Sequence, residues 1–151
     1  MNNTVDIWKT ALHILGRRSQ SEYEMRQKLG QKEYAVEQID DVINRLLTYG
    51  YVNDNKLAHL LFKKHVQVGK YSLNNIMCKL KQRGLPDDVI KDVTNNYAFE
   101  EETIAALKIV NNRFKSLEDV SQDKIYRFLA TRGFSATTIH KVVQQLYHDE
   151  I

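Results

Sequence analysis

The chain has 151 residues, 42% of them hydrophobic and 27% charged, with one Pro, six Gly and one Cys. That length suits one domain or a short row of repeats, and so few turn formers argue against a β-sandwich or barrel. Its apolar runs are too short to cross a bilayer, and a lone cysteine excludes an intrachain disulfide framework and suits a reducing cytosol. The opening MNNTVDIWKT has neither the basic nor the apolar region of a signal peptide, so a cytoplasmic location is expected. The net charge of +3 is unevenly spread: residues 57–97 carry 7 basic and 3 acidic side chains, residues 1–56 carry 8 of each, and residues 98–151 carry 7 and 8.

In chain order, Ile7, Trp8, Ala11, Leu12 and Leu15 predict a first helix, with Trp8 packing internally. Ser21 is the N-cap of a second, with Glu24 completing a capping box and Met25 and Leu29 on one face. Ile39, Val42, Ile43 and Leu46 stripe a third, and a break near Gly50–Asp54 follows. Leu57, Leu60, Leu61 and Val66 predict a fourth helix; Ser72, Ile76 and Leu80 a fifth, ended by Gly84. Pro86 fits the first position of a sixth, with Asp87 and Asp88 at its positive end, before a break near Asn95–Phe99. Glu100, Glu101 and Glu102 open a seventh through Ile104, Leu107, Ile109, Val110 and Phe114. Ser121, Ile125 and Leu129 mark the eighth, ended by Gly133, and Ile139, Val142, Val143 and Leu146 the ninth.

A repeat underlies this order. Met25, Leu29, Tyr34, Ile39, Val42, Ile43 and Leu46 share identical offsets with the series from Ile76 to Tyr97 and from Ile125 to Leu146, displaced by 51 and then 49 residues. Ser21, Ser72 and Ser121 each stand eight residues before the central Leu. Arg83-Gly84-Leu85 and Arg132-Gly133-Phe134 end the second helix in two copies; the first has Glu33 at that position and Gly30 earlier, so a different turn is expected there. The expected fold is all-α: three tandem three-helix, helix-turn-helix-like repeats over residues 1–52, 53–97 and 98–151, in an elongated, curved row.

No reactive constellation accompanies this pattern. No two of His13, His59, His65, His140 and His148 lie three or four apart, which excludes a helical metal-ligand pair. Cys78 lies among Ile76, Met77 and Leu80 without an evident activating base and reads as a small packed or semi-exposed side chain. Neither GxxxxGK[ST] nor GxGxxG occurs. Asp40–Asp41 and Asp87–Asp88 fall in or near helix starts, where dipole complementation accounts for them. A protein without catalytic activity, cofactor or metal is expected, monomeric and free of membrane contact.

The interval from Leu57 to Pro86 contains no acid and six cations: Lys63, Lys64, Lys70, Lys79, Lys81 and Arg83. They read as an electrostatic footprint for phosphates or an acidic protein surface, against the plainer reading of a solvated face. Arg17, Arg18 and Arg132 are weaker candidates, and Arg83 and Arg132, before the breaking glycines, also suit a helix-end role. Tyr71 beside Lys70 suits base stacking or amphipathic packing.

The string SQSEYEMRQKL resembles the opening of the RecX regulatory proteins, and GYVNDNKLAHLLFKKHVQVGKYSLNNIMCKLKQRGL resembles their central signature. Gly50, Tyr51, Asp54, Lys56, Leu57, Ala58, Gly69, Ile76, Leu80, Arg83, Gly84 and Leu85 carry the likeness. Departures are Asn53 for a frequent Asp, Lys56 for Arg, Leu57 for Phe and His65 for a common Arg; Lys56 cannot supply the bidentate fork of Arg. The resemblance implies tandem three-helix repeats and a nonenzymatic modulator of RecA, the bacterial recombinase. Such a protein would bind the RecA filament on single-stranded DNA, block its extension, and lower its ATPase, strand-exchange and co-protease activities, with direct DNA contact possible. The competing reading is a helix-turn-helix-like module acting directly on DNA. Against it, the helix after Gly84 opens with Asp87 and Asp88, which would face phosphates.

Overall fold

The computed structural model describes residues 4–148. Among them lie nine helices and no strand: α1 (Thr4–Arg17), α2 (Glu22–Gln31), α3 (Val36–Thr48), α4 (Asp54–Val68), α5 (Leu73–Gln82), α6 (Asp87–Thr94), α7 (Phe99–Arg113), α8 (Gln122–Thr131) and α9 (Ala136–His148). They form the three three-helix repeats in order. No helix of the described residues is long and apolar enough to cross a membrane.

Each repeat is punctuated by the same chemistry. Ser21 accepts from the Glu24 N–H at 3.1 Å, Ser72 from the Asn75 N–H at 3.1 Å and Ser121 from the Lys124 N–H at 3.2 Å, so each relieves a free amide at a helix start. Glu24 also returns a bond to the Ser21 N–H, completing the capping box. At the other end, the Leu85 N–H reaches back to the Leu80 carbonyl and the Gly84 N–H to Lys81, with Gly84 at φ +75°. Phe134, Leu129, Gly133 and Ala130 repeat this arrangement. It is a Schellman ending, which satisfies two orphan carbonyls and folds the next apolar residue onto the helix.

The first repeat corrects one expectation in part. Glu33 takes the same left-handed conformation, φ +65°, and its N–H bonds the Gly30 carbonyl as Gly84 bonds Lys81. The left-handed position is thus kept even where the residue carries a Cβ, while a Tyr34-to-Leu29 bond matching those of Leu85 and Phe134 is not seen among the described residues, so the turn differs in that bond. Two smaller corrections concern acids and proline. The Pro86 carbonyl accepts from the Ile90 N–H, which puts Pro86 one residue before the first helical position. Asp40 and Asp41 lie within α3, past its first turn, and Asp40 pairs with Arg26 at 2.6 Å instead of serving the helix dipole.

The described residues divide into two compact units. The first holds residues up to Leu61 together with Leu80–Val93. Its core gathers Ile7, Ala11 and Ile14 from α1, Met25 and Leu29 from α2, and Ile39, Val42, Ile43 and Leu46 from α3, closed by Val52. Trp8, Leu15 and Tyr34 pack at its margin, as expected for Trp8. The second unit holds Phe62–Lys79 and the residues from Thr94 on. Ala105, Ala106, Ile109 and Val110 of α7 meet Ile125 and Leu129 of α8, Phe134, and Ile139 and Val142 of α9. The leading helices bury part of their predicted stripes, Ile7 and Ala11 in α1, Leu57 in α4, and Ile109 and Val110 in α7, but Leu12, Leu60 and Ile104 are exposed, and Ala58, Ala105 and Ala106 join the buried positions.

Within the first unit the N-terminal end of α2 abuts the C-terminal end of α5. The Ser21 hydroxyl donates to the Arg83 carbonyl at 2.6 Å, and a Cβ on Gly84 would stand 2.5 Å from the Tyr23 ring. Within the second unit the Ser72 hydroxyl donates in the same way to the Arg132 carbonyl at 3.1 Å, with the Asn75 side chain donating to it at 3.3 Å. One serine therefore serves twice, capping its own helix and bonding a carbonyl at the end of the corresponding helix in the next repeat.

Candidate binding surface

The expected cations fall in different settings. Lys63 and Lys64 lie exposed in the second half of α4, and Lys70 is exposed in the turn after Gly69. In the second unit Lys70 and Lys79 converge on Tyr71: their ammonium nitrogens stand 5.4 and 4.7 Å from the ring centroid. His65 meets the same ring edge-on at 5.6 Å. Desolvation, and then the charges of Lys79 and Lys64, push the His65 imidazolium below its ordinary pKa of 6.5. A half-buried tyrosine ringed by Lys70, Lys79 and a histidine that resists protonation is a concentrated positive spot without an intervening carboxylate.

Arg132 is exposed and its guanidinium lies 4.7 Å over the Phe128 ring. It lines a groove of about 270 Å³ in the second unit with Lys70, Lys108, Arg113 and Phe128; none of the described lining residues is acidic. Lys108 and Arg113 went unnoticed in the sequence because they lie in a segment of balanced charge. Lys108 donates to the Val68 carbonyl at the end of α4.

Arg83 has a different part. Its Nε donates to both Glu24 carboxylate oxygens, at 3.2 and 3.0 Å, and its Nη2 to the Ser19 carbonyl at 2.8 Å. Its side chain is only 18% exposed. Arg18 joins from the other side, 3.2 Å from Glu24. Burial works against the Glu24 carboxylate, but the Arg83 bond, the Ser21 N–H and the two guanidinium charges outweigh it and hold the pKa below the ordinary 4.5. Arg83 thus clamps α5 to the start of α2. Lys81 stays exposed, 3.7 Å from an equally exposed Asp87, a pair of little energetic weight. Arg17 and Arg18 line a separate groove in the first unit.

Cys78 is exposed, and no group of three or more metal-ligating side chains occurs among the described residues. The surface offers charge, hydrogen-bond donors and aromatic rings.

Comparison with known proteins bears on this arrangement. Residues 8–46 match a family model described as RecX, first three-helix domain. The chain is 26% identical to the regulatory protein RecX of Syntrophotalea carbinolica, over 89% of this chain and 92% of that protein. It is 28% identical to that of Bacillus subtilis over 92% of this chain but 54% of the relative. The crystal structure of RecX from Lactobacillus salivarius superposes with a TM-score of 0.86 at 22% identity, covering 98% of this chain and 97% of that one. A second crystal structure of a regulatory protein RecX gives 0.78 at 19% identity, covering 92% and 72%. The chain is thus similar to the RecX regulatory proteins in its first three-helix domain and, at lower identity, along most of its length, and it shares the fold of the two RecX crystal structures.

Proposed function

We propose that the chain binds the RecA nucleoprotein filament in the cytoplasm, limits its extension and lowers its ATPase, strand-exchange and co-protease activities. Similarity to the RecX regulatory proteins carries this reading, and the positive spot around Tyr71 supports it. In this reading the repeats, assigned to residues 1–52, 53–97 and 98–151, present successive helical faces to a partner that is itself repetitive. Lys63, Lys64, Lys70, Lys79 and Lys81 supply the electrostatic contact, with Arg132 beside Lys70. Arg83 contributes by fixing α5. The action needs no catalysis, cofactor or metal: a ligand that prefers one filament state shifts the equilibrium by that differential affinity.

Titration into RecA with single-stranded DNA and ATP tests the reading. ATP hydrolysis is expected to fall at amounts well below RecA, because one molecule affects many protomers. Undiminished hydrolysis at equimolar protein would refute it, and tight binding to free DNA without any effect on RecA would favour a direct DNA-binding module.

A further inference from the structure

The first repeat carries a second cationic feature that the linear charge count conceals. An open groove of about 700 Å³ runs between α1 and α2, lined by Lys9, His13, Arg17, Arg18, Lys28 and Lys32; none of the described lining residues is acidic. Of its five full cations, only Arg18 has a carboxylate partner among the described residues.

Comparison with the later repeats says what two of these positions are for. Lys32 stands three residues after Leu29, as Arg83 follows Leu80 and Arg132 follows Leu129. Lys9 stands between buried Ile7 and Ala11, as Lys108 stands between buried Ala106 and Val110. Arg83 donates to the Ser19 carbonyl just past α1, and Lys108 to the Val68 carbonyl ending α4. In both joints the cation meets a carbonyl near the end of the preceding repeat's first helix, where the dipole carries about half a negative charge. In the first repeat the equivalent pair lines an open groove, with Arg17, Arg18 and Lys28 added to it. That is more positive charge than a helix end demands.

The lining also selects among anions. Ammonium and guanidinium groups only donate. The Thr10 hydroxyl already donates to the Asp6 carbonyl and pairs with the Tyr34 hydroxyl. Gln20, 3% exposed, gives its amide N–H to the Arg18 carbonyl, and its Oε1 is buried without a partner among the described residues. An extended acidic peptide would bring a row of N–H donors into a groove with almost no free acceptor, whereas a chain of phosphates brings acceptors only. His13 is the one ring among the described lining residues and no Phe, Tyr or Trp joins it, so bases would find little to stack on. We propose that this groove binds a run of phosphate groups, of a nucleic-acid strand or of free polyphosphate, through Lys9, Lys28, Lys32, Arg17 and Arg18. The proposal stands apart from the filament reading and needs no RecA.

The test uses the full chain and a fluorescent oligothymidylate of about 20 nucleotides, followed by anisotropy over a salt series. Lys9→Gln with Lys28→Gln and Lys32→Gln is expected to weaken binding about tenfold and to cut the slope of log affinity on log salt by about 2, three contacts at about 0.7 each. Unfolding temperature should hold, since Lys9 and Lys32 are exposed and only Lys28 is half-buried; if it moves, Arg17→Gln with Lys32→Gln replaces the triple variant. Displacement of the oligonucleotide by inorganic tripolyphosphate identifies free phosphate chains as sufficient; retention against it identifies the nucleic-acid strand. Unchanged affinity and slope in the triple variant would overturn the proposal. So would equal displacement by polyglutamate at matched charge, or a loss confined to a Lys63, Lys64, Lys79 and Lys81 to Ala variant. RecA hydrolysis is not read in this assay, so its failure and that of the filament reading are separate results.

Discussion

At the scale of single residues, the joint between α2 and α5 turns on Gly84, which meets two independent demands. Its φ of +75° costs a residue with a Cβ roughly 1–2 kcal/mol, and the added atom would also stand 2.5 Å from Tyr23. Gly50 has the same φ, but a Cβ there meets nothing within 4 Å. Gly50→Ala should therefore cost about 1 kcal/mol and Gly84→Ala about 3 kcal/mol or more, read from denaturant midpoints at constant slope. Equal losses would mean that the Tyr23 contact relaxes freely and that only backbone conformation matters.

Among the elements, all nine helices of the described residues were legible in the sequence, but the buried face of each repeat's first helix was legible only in part. Ser21, Ser72 and Ser121 and the Arg-Gly-apolar endings are local chemistry, visible wherever they occur. In the leading helices Ile7, Ala11, Leu57, Ile109 and Val110 are buried as expected, whereas Leu12, Leu60 and Ile104 point outward and Ala58, Ala105 and Ala106 take further buried positions. Where a helix lies against two others, close approach also favours small side chains, so not every large aliphatic marks the core side. At Glu33 the different turn expected from the lack of a glycine extends to the hydrogen bonds but not to the backbone, which is left-handed there too. The clamp on α2 carries its own prediction. Because Glu24 has its pKa lowered in the folded chain, it contributes stability that is complete above its ordinary 4.5 and is lost as pH falls through the lower folded value. Glu24→Gln should cost about 1–3 kcal/mol at neutral pH, since it leaves Arg83 half-buried without its carboxylate. The difference from the parent should shrink in melts taken stepwise into acid; a constant difference would assign the loss to packing.

On the scale of the whole molecule, a formal charge of +3 says little about function, because some acids are spent on particular cations and others lie away from the grooves. Glu24 holds Arg83 and Arg18, Asp40 holds Arg26, and Asp87 sits by Lys81, so positive charge is left in acid-free places that no count along the chain reveals. The sequence did point to Lys63, Lys64, Lys70 and Lys79, which cluster in a single acid-free segment. It missed Lys9, Lys28 and Lys32, which only the folding of α2 against α1 brings together amid nearby glutamates. The two kinds of cation should separate in one experiment. Lys63, Lys64, Lys79 and Lys81 changed together to Ala remove mostly exposed charges, of which Lys79 alone stands over a ring, so under the proposed filament reading the melting temperature should hold while inhibition of RecA weakens about tenfold or more and loses salt sensitivity. Arg83→Ala instead breaks three hydrogen bonds to Glu24 and Ser19 and leaves the carboxylate half-buried, so it should lower the melting temperature and weaken inhibition only in step with unfolding. A stable, fully folded Arg83→Ala protein with abolished inhibition would reassign Arg83 from the joint to the contact surface, and a quadruple variant that melts early would place its lysines in the fold.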